Sequence, residues 1–160
     1  MSKIKKIILA LNLLFVFGFF AFSVVKKERL YANGTEILLK LAPVDPRSLM
    51  QGDYMELNYE VTNQIRISDG NGKYVVVKVG SDGVAKYERQ QDDKELNEGE
   101  LLICYKVNSK RRKCIGAENY FFQEGTGNKF ADAEYGLLKV DDDGNCVLVG
   151  LCDRDKRIIK

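Results

Sequence analysis

The chain has 160 residues, of which 45% are hydrophobic and 30% charged, with 25 basic and 23 acidic side chains and neither His nor Trp. That size and balance exclude a wholly disordered chain and a multi-span membrane protein, and they leave room for one domain with an anchor. The missing His excludes Ser-His-Asp and Cys-His catalysis, His-ligated zinc and an imidazole pH switch. The first element is a run of uncharged residues, 7–25, whose only polar side chains are Asn12 and Ser23. As a helix it rises about 28 Å, the thickness of a bilayer's hydrocarbon. Lys3, Lys5 and Lys6 precede it and Lys26, Lys27 and Arg29 follow it. The run is longer than the apolar core of a cleaved signal peptide, about 7–15 residues. We therefore expect a cytoplasmic tail (1–6), a transmembrane anchor (7–25), a polar linker ending in an Asn-Gly turn (26–34) and an extracytoplasmic domain (35–160). The short lysine-bearing tail favours this orientation. Five lysines fall in residues 1–27, so the remainder holds 20 basic and 23 acidic side chains, about −3, a balance that argues against a nucleic-acid partner.

From residue 35 onward the pattern is of short strands and turns. Residues 36–41 read as a strand and 45–49 as a single helical turn with Pro46 at its start. Residues 53–61 alternate, with Met55, Leu57, Tyr59 and Val61 on one face. Residues 74–79 and 84–89 pair across Gly80-Ser81-Asp82-Gly83, and 90–99 form a charged loop. Residues 100–107 and 113–122 flank a basic turn, 128–135 suit a short helix, and 136–140 and 146–151 flank Asp141-Asp142-Asp143-Gly144-Asn145. About eight strands at this spacing predict a mainly β fold, an antiparallel sandwich or small barrel with one or two short helices.

Residues 52–59 read Gly-Asp-Tyr-Met-Glu-Leu-Asn-Tyr, preceded by Pro43-Val44-Asp45-Pro46-Arg47 and followed later by Tyr120-Phe121-Phe122-Gln123-Glu124-Gly125-Thr126-Gly127. In this order the three segments resemble the GDYXXLXY family of membrane-anchored proteins, over nearly the whole chain. The resemblance implies an N-terminal anchor and a location at the cell's inner (cytoplasmic) membrane. It also implies a partner, because members of the family often occur beside multi-span membrane proteins. It supplies no reaction.

Within these segments Gly52 and Asp53 read as a turn into the strand, with Tyr54 on the polar face and Leu57 and Tyr59 directed to the core. Asp45, Arg47 and Asp53 suit a polar cluster that pins a loop. Glu124 lies in a turn flanked by Gly125 and Gly127, and the resemblance alone implies Arg47 as its partner if it is buried. Thr126 or Asn128 is placed to cap the helix that follows. The four cysteines, Cys104, Cys114, Cys146 and Cys152, allow three full pairings, of which 104–114 with 146–152 is the local choice. Their spacing lacks C-x-x-C, so no zinc ribbon is expected. The Asp-rich 141–145 segment reads as a hairpin turn, because the first ligand position of a calcium loop would fall on Lys139. A likeness to the signal-peptidase nucleophile segment ends at Gly52-Asp53, with the nucleophile position on Val44, which cannot attack a carbonyl. We expect a non-catalytic β domain, without cofactor or metal, serving as an accessory or binding module for a multi-span partner in the envelope. The alternative is an envelope hydrolase or small-ligand binder using Arg47, Asp53 and Glu124.

Overall fold

A computed structural model describes residues 3–42, 50–51, 54–66 and 73–160. Helix α1 (Lys3–Asn33) has 31 residues, about 46 Å at the α-helical rise. From Ile7 to Asn33 it is long and apolar enough to cross a membrane. Its large apolar side chains, Phe15 and Phe17 among them, are exposed on every side. The expected linker is instead helical as far as Asn33. Residues 26–33 contain neither Pro nor Gly and are rich in Lys, Glu, Arg and Leu, which continue a helix at little cost. The Asn-Gly pair ends the helix, and the Gly34 N–H donates to the Leu30 carbonyl at 2.8 Å. Leu30 is buried, and the Lys139 ammonium lies 5.4 Å from the Tyr31 ring centroid, so the last two turns of α1 are part of the folded domain.

The domain is built on one open sheet. Its strands are β1 (Thr35–Lys40), β4 (Tyr74–Val79), β5 (Val84–Gln91), β6 (Glu100–Cys104), β10 (Tyr135–Val140) and β11 (Cys146–Cys152), in the order β11-β10-β1-β5-β4-β6. All neighbours are antiparallel except β1 and β5, which pair in parallel through Leu38–Val84 and Leu39–Ala85. Side chains alternate across β1. Ile37 and Leu39 enter the main core, while Leu38 joins a small cluster with Val84, Leu137 and Cys152 on the opposite face. The main-core face is covered by a second, smaller layer. That layer contains β2 (Met50–Gln51), β3 (Tyr54–Glu56), β9 (Asn119–Phe121), helix α2 (Glu60–Gln64) and the hairpin β7 (Lys106–Val107)–β8 (Lys113–Cys114). The mainly β architecture agrees with the sequence reading, and no barrel closes among the described residues.

Four expected elements differ, the first being the 100–107 strand, which breaks at Tyr105 into β6 of the main sheet and β7 of the covering hairpin. The 53–61 strand is only β3, after which Tyr59 bridges Leu41 and the chain turns into α2. The Thr62 hydroxyl donates to the Tyr59 carbonyl at 2.8 Å and stabilises this change of direction. Met55, Leu57, Tyr59 and Val61 nevertheless all reach the core, as their alternation requires. The 113–122 strand is split into β8 and β9 because the Glu118 carboxylate accepts the Ile115 and Gly116 N–H groups and holds a turn between them. The 128–135 helix shrinks to one 3₁₀ turn, Gly127–Phe130. The expected helical turn at 45–49 lies outside the described residues.

One ion pair ties β5 to β6 across β4. Arg89 donates to both Glu100 oxygens at 2.6 and 2.8 Å, and Asn97 adds its backbone N–H at 2.9 Å and its side-chain amide at 3.1 Å. The Arg89 guanidinium and then the Asn97 donors lower the Glu100 carboxyl from its usual 4.5 to about 2. Because the folded value lies below the unfolded one, this stabilisation is complete above pH 4.5 and is lost as pH falls toward 2. In a carbon-detected NMR titration the Glu100 carboxyl should titrate near 2. The gap in urea midpoint between the protein and its Glu100→Gln variant should narrow between pH 6 and pH 2, whereas a gap independent of pH would refute the assignment.

Candidate functional site

The motif segment is described from Tyr54 onward. Tyr59 is fully buried, and its hydroxyl donates to the Ala117 carbonyl at 2.6 Å. Burial, with a smaller contribution from Glu118, raises its phenol well above 10, so it stays protonated and remains a hydrogen-bond donor. Its ring lies over Gly136 of β10, where a Cβ would come within 2.9 Å of the ring. The Leu57 N–H donates to the Glu118 carbonyl at 2.6 Å and the Ala42 N–H to the Asn58 carbonyl at 2.7 Å, so the segment is bound on both flanks. Leu57 and Tyr59 are therefore core residues, as expected. Tyr54 is half-buried and stacks obliquely on Phe121 of β9, with ring centroids 5.8 Å apart. Phe121 is 73% exposed, so this pair forms an aromatic surface.

Of the expected polar cluster, Asp45, Pro46, Arg47, Gly52 and Asp53 lie outside the described residues, as does Val44. Glu124 is exposed, not buried, and forms no ion pair among the described residues. It sits in a turn closed by Thr126 N–H to the Gln123 carbonyl at 3.0 Å, with Gly125 at φ +78°, a conformation that L side chains rarely adopt. Gly127 is buried and opens the 3₁₀ turn. Thr126 precedes that turn, but its hydroxyl donates back to Gln123 at 2.6 Å instead of capping forward. Nothing in this turn gathers a second carboxylate beside Glu124.

The concavity nearest the motif is a cavity of about 380 Å³ bordered by Lys40, Met55, Leu57, Glu60, Phe130 and Glu134. Lys40 pairs with Glu60 at 3.0 Å, and that contact raises its ammonium above the ordinary lysine value. A cation stabilised in this way is neither a base nor a nucleophile at neutral pH. The Asp-rich hairpin turn is closed from within by Asp141. The Asp141 carboxylate accepts the Asp143 and Asn145 N–H groups at 3.0 and 2.8 Å and also the Asn145 amide. The basic turn between β7 and β8 is closed by Asn108, which accepts the Lys110 and Arg112 N–H groups, while Arg112 pairs with Glu56.

All four cysteines are free thiols. The expected 146–152 bridge cannot form, because those residues occupy opposite ends of β11, about 20 Å apart at the strand rise. Cys104 and Cys114 are unbonded and share, with Cys146 and Lys27 of α1, the lining of a cavity of about 230 Å³. The Cys104 N–H donates to the Gly144 carbonyl at 2.7 Å, which brings the end of β6 against the turn that precedes Cys146. This convergence was not legible from spacing. Burial pushes the Cys146 thiol up to about 12 and also raises Cys114 and Cys152, so these are poor nucleophiles.

Tyr59→Phe leaves the Ala117 carbonyl without its donor and should cost about 1–3 kcal/mol in denaturant unfolding. Gly136→Ala, which drives a methyl into a ring that cannot move, should cost a similar ~1–3 kcal/mol. With Ellman's reagent at pH 8, the half-buried Cys104 should react fastest in the folded protein, Cys114 more slowly because its thiol is raised, and Cys146 and Cys152 only on unfolding. Four equal rates would contradict the burial described.

No curated protein and no solved structure matches the chain. A family profile does, that of the GDYXXLXY protein, over residues 16–151. The matched span runs from the middle of the apolar run of α1 to the last residues of β11 and includes the whole motif segment, so the chain belongs to the GDYXXLXY family.

Proposed function

We propose that the chain is a single-pass protein of the inner (cytoplasmic) membrane, with its β domain on the extracytoplasmic side, and that it serves as a non-catalytic docking module for a multi-span membrane partner. The observation that carries this reading is the unbroken join between α1 and the sheet. The exposed apolar stretch passes directly into helical turns whose Leu30 is buried in the domain. A domain attached in this way is held at a set height above a bilayer, within reach of the extramembrane loops of a neighbouring membrane protein. The exposed Tyr54–Phe121 pair supplies the kind of rigid aromatic surface on which interface energy concentrates. Lys3, Lys5 and Lys6 favour retention of the N-terminus in the cytoplasm.

The test is in-cell crosslinking of tagged full-length protein, solubilisation in mild detergent and mass spectrometry of what co-purifies. A recurrent multi-span partner is expected. Tyr54→Ser combined with Phe121→Ser should lower its recovery roughly tenfold. The thermal midpoint should change little, since Phe121 is exposed and Tyr54 only half-buried. Recovery of the protein alone would overturn the docking role, and protease access to the β domain from the cytoplasmic side would overturn the orientation.

A further inference from the structure

A groove of about 500 Å³ runs between the last turns of α1 and the β10–β11 turn. Its helical wall includes Phe22, Val25, Lys26 and Arg29, whose spacing places them on one stripe of the helix. Its other wall includes Asp141 and Asp142. The apolar run of α1 ends at Val25 and charge begins at Lys26, so the groove straddles the level at which hydrocarbon gives way to headgroups. Phe22 and Val25 belong to the acyl side and Lys26 and Arg29 to the phosphate side. Neither cation forms a hydrogen bond or ion pair among the described residues, and Asp142 is likewise exposed and without one. Lys26 and Arg29 line the groove together with Asp141 and Asp142, while Asp143 beside them is paired with Lys94 at 2.6 Å. Asp141 is spent on its own turn, which leaves Asp142 as the available acceptor.

We propose that this groove holds the headgroup of a phospholipid that carries both a phosphate and a primary ammonium, that is, a phosphatidylethanolamine. Lys26 and Arg29 donate to the phosphate, Asp142 accepts from the ammonium, and Phe22 and Val25 lie along the upper acyl chain. The two cations hold any phosphate, and Asp142 opposite them favours a headgroup with an added ammonium over phosphatidylglycerol, whose glycerol offers Asp142 hydroxyl donors but no cation. A quaternary choline has the charge but no N–H to donate. This inference rests on the membrane-anchor reading above, and the experiment separates the two.

Full-length protein is reconstituted into vesicles of palmitoyl-oleoyl phosphatidylethanolamine, phosphatidylglycerol or phosphatidylcholine mixed with a common carrier lipid. Flotation and carbonate resistance report anchoring. Native mass spectrometry after mild extraction reports retained lipid. We expect one retained phosphatidylethanolamine, about three- to tenfold above the other two headgroups. Arg29→Gln with Lys26→Gln should abolish retention of all three, and Asp142→Asn should remove the preference over phosphatidylglycerol while the cations still hold phosphate. All three positions are exposed, and unchanged circular dichroism and thermal midpoint would confirm the fold of each variant. Firm anchoring with equal retention of the three lipids, or retention indifferent to Arg29→Gln with Lys26→Gln, would overturn the headgroup site alone. Failure to float would overturn the anchor and the site together.

Discussion

The contact of Tyr59 with Gly136 and Ala117 is the constraint on which the rest of the domain depends. An open sheet with one apolar face needs a cover, and the chain after β1 supplies it by laying Met55, Leu57 and Tyr59 across that face. Tyr59 fits only because Gly136 presents bare backbone there, and its hydroxyl fits only because the Ala117 carbonyl receives it. A buried phenol without that acceptor would be penalised for its lost water, so the hydrogen bond fixes both position and depth. Through this one residue, β10, the β8–β9 turn and the motif segment share a single geometry. The last Tyr of the motif is thus explained by packing without recourse to chemistry.

The second organising feature is that α1 does not stop at the end of its apolar run. Had residues 26–33 formed a flexible tether, the domain would have sampled a wide range of heights and tilts above the anchor. As a helix ending in a buried Leu30 and a closed Gly34 turn, the same residues fix the direction of the apolar helix relative to the sheet. They also place Lys26 and Arg29 opposite Asp141 and Asp142, and Lys27 beside three thiols. The charges that follow the apolar run and the domain's own turns therefore meet at one level.

Among the described residues, several polar groups that invite a chemical reading are occupied in holding turns and strands together. Asp141 closes the β10–β11 turn, Glu118 divides β8 from β9, Asn108 closes the basic hairpin and Glu100 locks Arg89. Charged groups committed in this way have lost the freedom that acid–base or metal chemistry requires. Burial likewise raises the Cys146, Cys152 and Cys114 thiols, so they act as small packing groups. Among the described residues, groups without such commitments include the exposed Phe121 beside Tyr54, Glu124, and Lys26 and Arg29 after the apolar run.

The sequence by itself determined the features set by local periodicity and turn chemistry. The uncharged run makes a helix of membrane length, the Gly-Ser-Asp-Gly and Asp-rich segments close hairpins, and the alternation from Met55 to Val61 directs those side chains inward whether they stand on strand or helix. Each of these depends on neighbours a few residues away, so each was legible before the fold was seen. Only the tertiary structure decided that β1 lies between β10 and β5, that Tyr59 rests on Gly136, and that Cys104, Cys114 and Cys146 converge while Cys152 faces the opposite side. It alone decided that the polar segment after the anchor continues as helix into the core, and that its cations face an acidic turn. These pairings join segments far apart in the chain. Their register is set by which shapes fill the space between two layers, and no local pattern encodes that fit.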